Sequence, residues 1–264
     1  MEVYWLEQSE ADVPAADDWF SESELVQLNS FRFAKRRADW RLGRWTAKCA
    51  VAASLKLSND RRSPKRIEIR AASTGQPEVV LVDRTERVTI SLSHRTGIAI
   101  CAVAFGDVIL GCDLEVIEPR SDGFIADYFT VEEQSAIAQV DAEERSALIA
   151  LLWSAKESAL KALHVGLRAD TRSVRVEITG ALDQLFENAA ASMSKAGSPI
   201  QSGTLSPRTW RSLQVHCADE TVFHGWWQRA NDIVRTIVGA PPPATPHELR
   251  LHDVEPRMQT TIPR

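Results

Sequence analysis

Gly111-Cys112-Asp113-Leu114-Glu115 lies between the apolar pairs Ile109-Leu110 and Val116-Ile117. Apolar residues on both sides of two carboxylates read as a buried or half-buried strand. Side chains alternate along a strand, so Asp113 and Glu115 point to one face. Two carboxylates there repel each other unless one is protonated or a cation bridges them. A hard cation is the natural guest, and magnesium is commonly held by one or two carboxylates plus substrate phosphates. The competing reading is a strand whose polar face meets water.

The chain has 264 residues, enough for one large domain or two small ones. Its net charge of −5 gives no global pull toward nucleic acid, so any polyanion site must be a local basic patch. No apolar run is long enough to span a bilayer, and the acidic N-terminal stretch does not read as a signal peptide. Cys49, Cys101, Cys112 and Cys217 are scattered, with no C-x-x-C. They read as reduced thiols, mostly buried, in a cytoplasmic protein.

Val3-Tyr4-Trp5-Leu6 is a strand candidate. Ser21 with Glu24 is a capping-box pattern that opens a short helix. Residues 31–57 carry the longest helical pattern, with Ala38, Leu42, Trp45, Cys49 and Ala52 on an apolar face. Arg37, Arg41, Arg44 and Lys48 form a second stripe, with Arg32, Lys35 and Arg36 just upstream. Strands are expected around residues 66–70, 78–82, 88–92, 97–105 and 108–117, the last two as a hairpin across Gly106-Asp107. Thr130 with Glu133, and Asp141 with Glu144, are further cap patterns. The second opens a helix to about His164. Residues 174–178, 213–217 and 222–227 read as strands, and residues 180–210 as a helical run followed by a Gly/Ser/Pro-rich loop. The expected organisation is an α+β half over residues 1–106, a second over 107–238, and a mobile tail over 239–264.

Trp153-Ser154-Ala155-Lys156-Glu157-Ser158-Ala159-Leu160-Lys161 is the second informative stretch. On a helix Trp153, Glu157 and Lys161 share one face. A solvated Glu–Lys pair is the bland reading, weakened by the bulky Trp153 beside it. Joined to the strand, Glu157 makes a third carboxylate for the cation, and Lys161 can neutralise a phosphate oxygen. This is equipment for phosphoryl-type transfer. Ser93 and His94 end a strand at the turn Arg95-Thr96-Gly97, where a histidine can donate to a phosphate. The basic stripe on the long helix is a candidate anion site.

Gly-x-Asp-x-Glu over Gly111–Glu115, followed by Trp-Ser-x-Lys-Glu-x-x-x-Lys over Trp153–Lys161, resembles the paired signature of 4′-phosphopantetheinyl transferases of the larger two-domain class. Ser91-Leu92-Ser93-His94 and residues 32–43 are similar to two further motifs of that family. Gly75-Gln76-Pro77 sits where relatives have Gly-Lys-Pro, with Gln76 replacing the lysine. The resemblance implies two similar halves related by a pseudo-two-fold, each a helix packed on an antiparallel sheet. It implies coenzyme A as donor, a serine of an apo acyl or peptidyl carrier protein as acceptor, and 3′,5′-ADP as product. It further implies Asp113, Glu115 and Glu157 as ligands of magnesium, which manganese can replace. Glu157 is then the base and Lys161 the phosphate-holding cation. Arg36, Arg41, Arg44, Gln76, Pro77, Ser93 and His94 become the coenzyme A contacts, His94 and Arg41 toward the 3′-phosphate. A basic or apolar rim at residues 120–130 would receive the carrier protein. The expected form is a cytoplasmic monomer with no nucleic acid or membrane partner. The rivals are another magnesium-dependent phosphohydrolase and a non-catalytic nucleic-acid module using the basic helix.

Overall fold

The computed structural model describes residues 1–57, 64–82, 84–178 and 209–250. Of the helical run and loop expected at 180–210, residues 180–208 lie outside the described residues, as does the last part of the expected tail. The chain divides into two units, one of residues 1–110 and 246–264, the other of residues 111–245. Both mix helices with antiparallel sheet, as the α+β expectation has it.

The first unit runs β1 (Tyr4–Ser9), α1 (Glu22–Ser30), α2 (Ala34–Ser54), β2 (Ile67–Ala71), β3 (Pro77–Leu81), β4 (Val88–Arg95) and β5 (Ile98–Phe105). β5 is central, antiparallel to β1 on one side and to β4 on the other. The hairpin of β2 and β3 lies beside β4. Ser21 and Glu24 form the expected capping box, Ser21 Oγ accepting from Glu24 N and Glu24 Oε2 from Ser21 N. Such a cap contributes about 1 kcal/mol to a helix. α2 buries Ala47, Ala50 and Val51 against Leu6, Ile90 and Val103 of the sheet. Lys48 departs from the expected basic stripe. Its side chain is fully buried against Glu24, 2.5 Å away.

The second unit runs β6 (Ile109–Val116), whose first two residues belong to the other unit, then α3 (Asp122–Tyr128), α4 (Val131–Gln139) and α5 (Ala142–Ala162). β7 (Val174–Ile178), β8 (Arg211–Cys217), β9 (Val222–Ala230) and β10 (Ile233–Ala240) follow. The strands form one sheet in the order β6-β10-β9-β8-β7. α5 packs on it, burying Leu148, Leu151, Leu152 and Leu160 with Phe223 and Trp227. Each fully buried side chain of that size contributes about 1.5–3 kcal/mol of transfer free energy. Thr130 and Glu133 make the second expected capping box. Asp141 makes no side-chain cap bond, and Glu144 instead meets Arg229 at 3.3 Å.

Two connections differ from the sequence reading. The hairpin expected between residues 97–105 and 108–117 does not form, because β5 pairs with β1 and β4 while β6 pairs with β10. The tight turn is Thr96-Gly97, both at positive φ, between β4 and β5. That is the geometry a two-residue hairpin demands. The segment expected to be a tail from residue 239 contains the end of β10 and then β11 (His247–Glu248), which pairs in parallel with β1. His247 N donates to Val3 O at 2.9 Å and Leu249 N to Trp5 O at 2.8 Å. A short edge strand held by main-chain bonds needs no apolar period, so the sequence pattern did not announce it.

Candidate active site

β6 meets α5 at Gly111. A Cβ there would stand 1.9 Å from the carbonyl oxygen of Ser158, so only glycine permits the approach. Strand alternation then turns Asp113 and Glu115 to the same side, toward α5. Both carboxylates are buried, at 4% and 6% exposure, which removes the solvent-facing reading of this strand. α5 is held on β10 by Thr236, whose Oγ1 lies 2.8 Å from Ser154 Oγ and 2.7 Å from Ser158 Oγ. Trp153 is buried among aromatic rings, 5.1 Å from both Phe124 and Tyr128.

Lys161 does not serve as a solvated partner of Glu157 alone. Its Nζ donates to Asp113 Oδ1 at 2.7 Å and to Cys112 O at 3.2 Å. Burial opposes its charge, but Asp113, the Cys112 position and Glu157 outweigh burial and leave its pKa above the ordinary lysine value. Glu157 is half-buried, and its carboxyl is pushed above the ordinary glutamate value. Burial is the main cause and the charge of Asp113 the second, with Lys161 acting against both. Arg120 Nη2 lies 3.4 Å from Glu115 Oε2 and 3.0 Å from Glu118 Oε1. β6 and α5 therefore bring Asp113, Glu157 and Lys161 into one electrostatic group, with Glu115 on the same strand face.

Hard carboxylate oxygens suit magnesium. Among the described residues no three His, Cys, Asp or Glu side chains stand as a ready-made metal-binding group. The donor chemistry fits all the same. Asp113 makes ionised Glu157 unfavourable, and a divalent cation would relieve that repulsion.

The other candidates belong to the first unit. His94 is exposed and Ser93 half-buried, adjacent on β4 and so on opposite faces. Gln76 closes the turn before β3, its carbonyl accepting from Ala72 N at 2.8 Å, and Pro77 opens that strand. Arg36 is exposed, its guanidinium 5.1 Å from the Phe31 ring centroid. Arg44 stacks 4.8 Å from Trp40, and burial lowers its pKa with Glu24 opposing. Arg41 pairs with Asp17 and donates to Pro14 O at 2.7 Å. It also lines, with Arg37 and Glu10, a cavity of about 380 Å³. Sequence reasoning treated Glu24 and Glu133 only as caps. It missed the fully buried Lys48 and Lys156 that each pairs with. The signal was present as Phe-Ser-x-x-Glu at 20–24 and Phe-Thr-x-x-Glu at 129–133, each ahead of a long helix with an interior lysine.

Residues 109–220 match the family model of the 4′-phosphopantetheinyl transferase superfamily. The resemblance carried by the two motifs is thereby borne out, since the match contains both the β6 and the α5 stretches. No curated protein sequence matches the chain. Among solved structures, a holo-(acyl-carrier-protein) synthase from Bacillus anthracis in complex with CoA (3′,5′-ADP) aligns at 18% identity and a TM-score of 0.35. That alignment covers 39% of this chain and 94% of the synthase. The Helicobacter pylori holo-[acyl-carrier-protein] synthase in complex with coenzyme A aligns at 18% identity and a TM-score of 0.31, over 39% of this chain and 99% of that one. The superfamily match is the finding that bears on the chemistry of Asp113, Glu157 and Lys161.

Proposed function

We propose that this chain transfers the 4′-phosphopantetheine arm of coenzyme A to a serine of an apo acyl or peptidyl carrier protein, releasing 3′,5′-ADP, with magnesium. The observation that carries the reading is the grouping of Asp113, Glu157 and Lys161 where β6 meets α5, inside the segment that matches the superfamily. Asp113, Glu115 and Glu157 would hold the metal, which when bound supplies positive charge to pyrophosphate oxygens. Glu157, directly or through one water, accepts the proton of the acceptor serine. The serine oxygen bonds to the phosphorus that carries the pantetheine arm, and the bond from that phosphorus to the bridging pyrophosphate oxygen breaks. Lys161 stabilises the charge left on the departing 3′,5′-ADP. Its raised pKa keeps the ammonium charged at neutral pH.

The first unit supplies the donor-binding candidates. His94 is proposed for the 3′-phosphate, with Arg36, Arg41, Arg44, Gln76, Pro77 and Ser93 as further contacts. Exposed Tyr128 and Val131 supply an apolar rim for the carrier protein. The nucleic-acid reading is weakened at Arg41 and Lys48 of the basic stripe, while Arg32, Lys35 and Arg36 just upstream are exposed. Lys48 is buried on Glu24, and Arg41 is paired with Asp17. No described helix is long and apolar enough to cross a membrane.

The test is intact-mass analysis of an apo carrier protein incubated with the chain, coenzyme A and magnesium. The expected result is a gain of one phosphopantetheine arm, lost with Asp113→Asn and lost in excess chelator. Release of inorganic phosphate with no modified carrier would favour a phosphohydrolase instead.

A further inference from the structure

Lys156 precedes the proposed base by one residue and is fully buried. Its Nζ donates to Glu133 Oε2 at 2.8 Å, to Thr171 O at 2.9 Å and to Val174 O. Glu133 is fixed in turn, Oε2 accepting from Thr130 N at 2.9 Å and Oε1 from Val176 N at 3.0 Å. One ammonium therefore ties α5 to the cap of α4 and to the start of β7.

The first unit contains the same device. Lys48 Nζ meets Glu24 Oε2 at 2.5 Å and Trp19 O at 3.0 Å. Glu24 Oε2 accepts from Ser21 N at 2.9 Å, and Oε1 from Ile69 N of β2 at 3.1 Å. The phenylalanine before each cap lies against the ammonium, Phe20 at 5.8 Å and Phe129 at 5.7 Å. Chain order agrees as well once α3, which has no helical counterpart in the first unit, is set aside: β1-α1-α2-β2 in one unit, β6-α3-α4-α5-β7 in the other. The bonds Glu10 N to Gly97 O and Ile117 N to Asp232 O each tie the end of the first strand to the turn of the central hairpin. They set the register in which Asp113 and Glu115 correspond to Leu6 and Gln8. Aligning Lys156 with Lys48 makes Glu157 correspond to Cys49 and Lys161 to Ala53.

The first unit thus keeps the buried lysine and its glutamate while holding none of the chemistry. Buried Gln8 and Cys49 stand where the second unit has Glu115 and Glu157. A lysine retained in a copy without the acids belongs to the scaffold. Resting on the transferase reading, we propose that Lys156 is a positioning residue. Bonded to Glu133 and the two carbonyls, it fixes the rotation of α5 that aims Glu157 and Lys161 at Asp113, and it touches no substrate.

Transfer kinetics and melting of the full chain test this, with Lys48→Met as the matched control. Lys156→Met and Lys48→Met should both lower Tm. At a temperature well below both melts, Lys156→Met should reduce kcat about 10–100-fold, the cost of misplacing reacting groups by an ångström or so. The KM for coenzyme A should stay within about twofold, and Lys48→Met should keep its kcat. The double variant Lys156→Met/Glu133→Gln removes both buried charges, and its single amide oxygen can keep one of the two main-chain bonds, from Thr130 N or from Val176 N. It should regain part of the lost Tm without regaining kcat, and it carries the test should Lys156→Met fail to fold. Recovery of kcat together with Tm would make Lys156 a stability residue only. A tenfold rise in KM would mean that it contacts the donor. A wild-type chain that transfers nothing overturns the functional reading itself; an active wild type with an unaffected Lys156→Met overturns the positioning claim alone.

Discussion

At Glu157 one carboxyl carries two opposed demands. Burial and Asp113 favour its neutral form, while accepting a proton or holding a metal requires the charged one. The raised pKa fixes the sign of the stability effect. In the folded chain the ionised form is penalised, so metal-free protein loses stability as pH rises from the ordinary glutamate value of 4.5 through the folded pKa. Glu157→Gln escapes that loss. In chelator its Tm should exceed wild type at pH 7–8, with the difference vanishing below about pH 4. Identical Tm values across the series would mean the carboxyl is not raised. The same variant should slow single-turnover transfer about 10²–10⁴-fold, the usual cost of removing a positioned base. Lys161→Ala should also slow transfer, and Lys161→Arg should restore part of the rate by returning the charge. The spacing of Glu157 and Lys161 showed that they share a helix face. It could not show that Lys161 reaches Asp113, which is forty-eight residues away in the chain. A helical period sees only near neighbours.

Among the elements, the crossing of β6 and α5 matters most for the site. Gly111→Ala should be severely destabilising, because its Cβ would strike main chain that cannot swing aside. The expected cost is about 1–3 kcal/mol or more, read by chemical denaturation. Gly123 on α3 is the control, since its Cβ would find nothing nearer than Ser121 Oγ at 3.8 Å. Gly123→Ala should stabilise by about 0.5–1 kcal/mol. Sequence patterns located α1, α2, α4 and α5 well, because caps and apolar periodicity are local signals. Strand partners were harder to read. Residues 98–105 are apolar throughout and 109–116 are apolar apart from Asp113 and Glu115, and neither pattern says which neighbour a strand takes. Ile233–Ala240 was missed as a strand because Arg235 and Thr236 interrupt its apolar run, though both are buried.

On the scale of the whole molecule, the two halves were legible as a repeated order of helix and strands, but the ending of the first was not. Truncation after residue 238 removes Gly239 from its pairing with His224 and deletes β11. It should lower Tm by several degrees, and retention of the full Tm would show those main-chain bonds to be without consequence. Because β11 pairs with β1, the first unit is discontinuous, with residues 111–245 inserted between its two pieces. During synthesis, β11 (His247–Glu248) emerges long after β1 (Tyr4–Ser9), with the whole second unit between them. At about 5–20 residues per second that leaves β1 waiting for its outer partner for roughly 10–50 s. Most of that wait is the synthesis of the second unit, whose last strand, β10, ends at Ala240, just before β11 begins at His247. The first unit is complete only once β11 is made, so a chain cut short before residue 247 leaves one edge of β1 open to pairing with another chain.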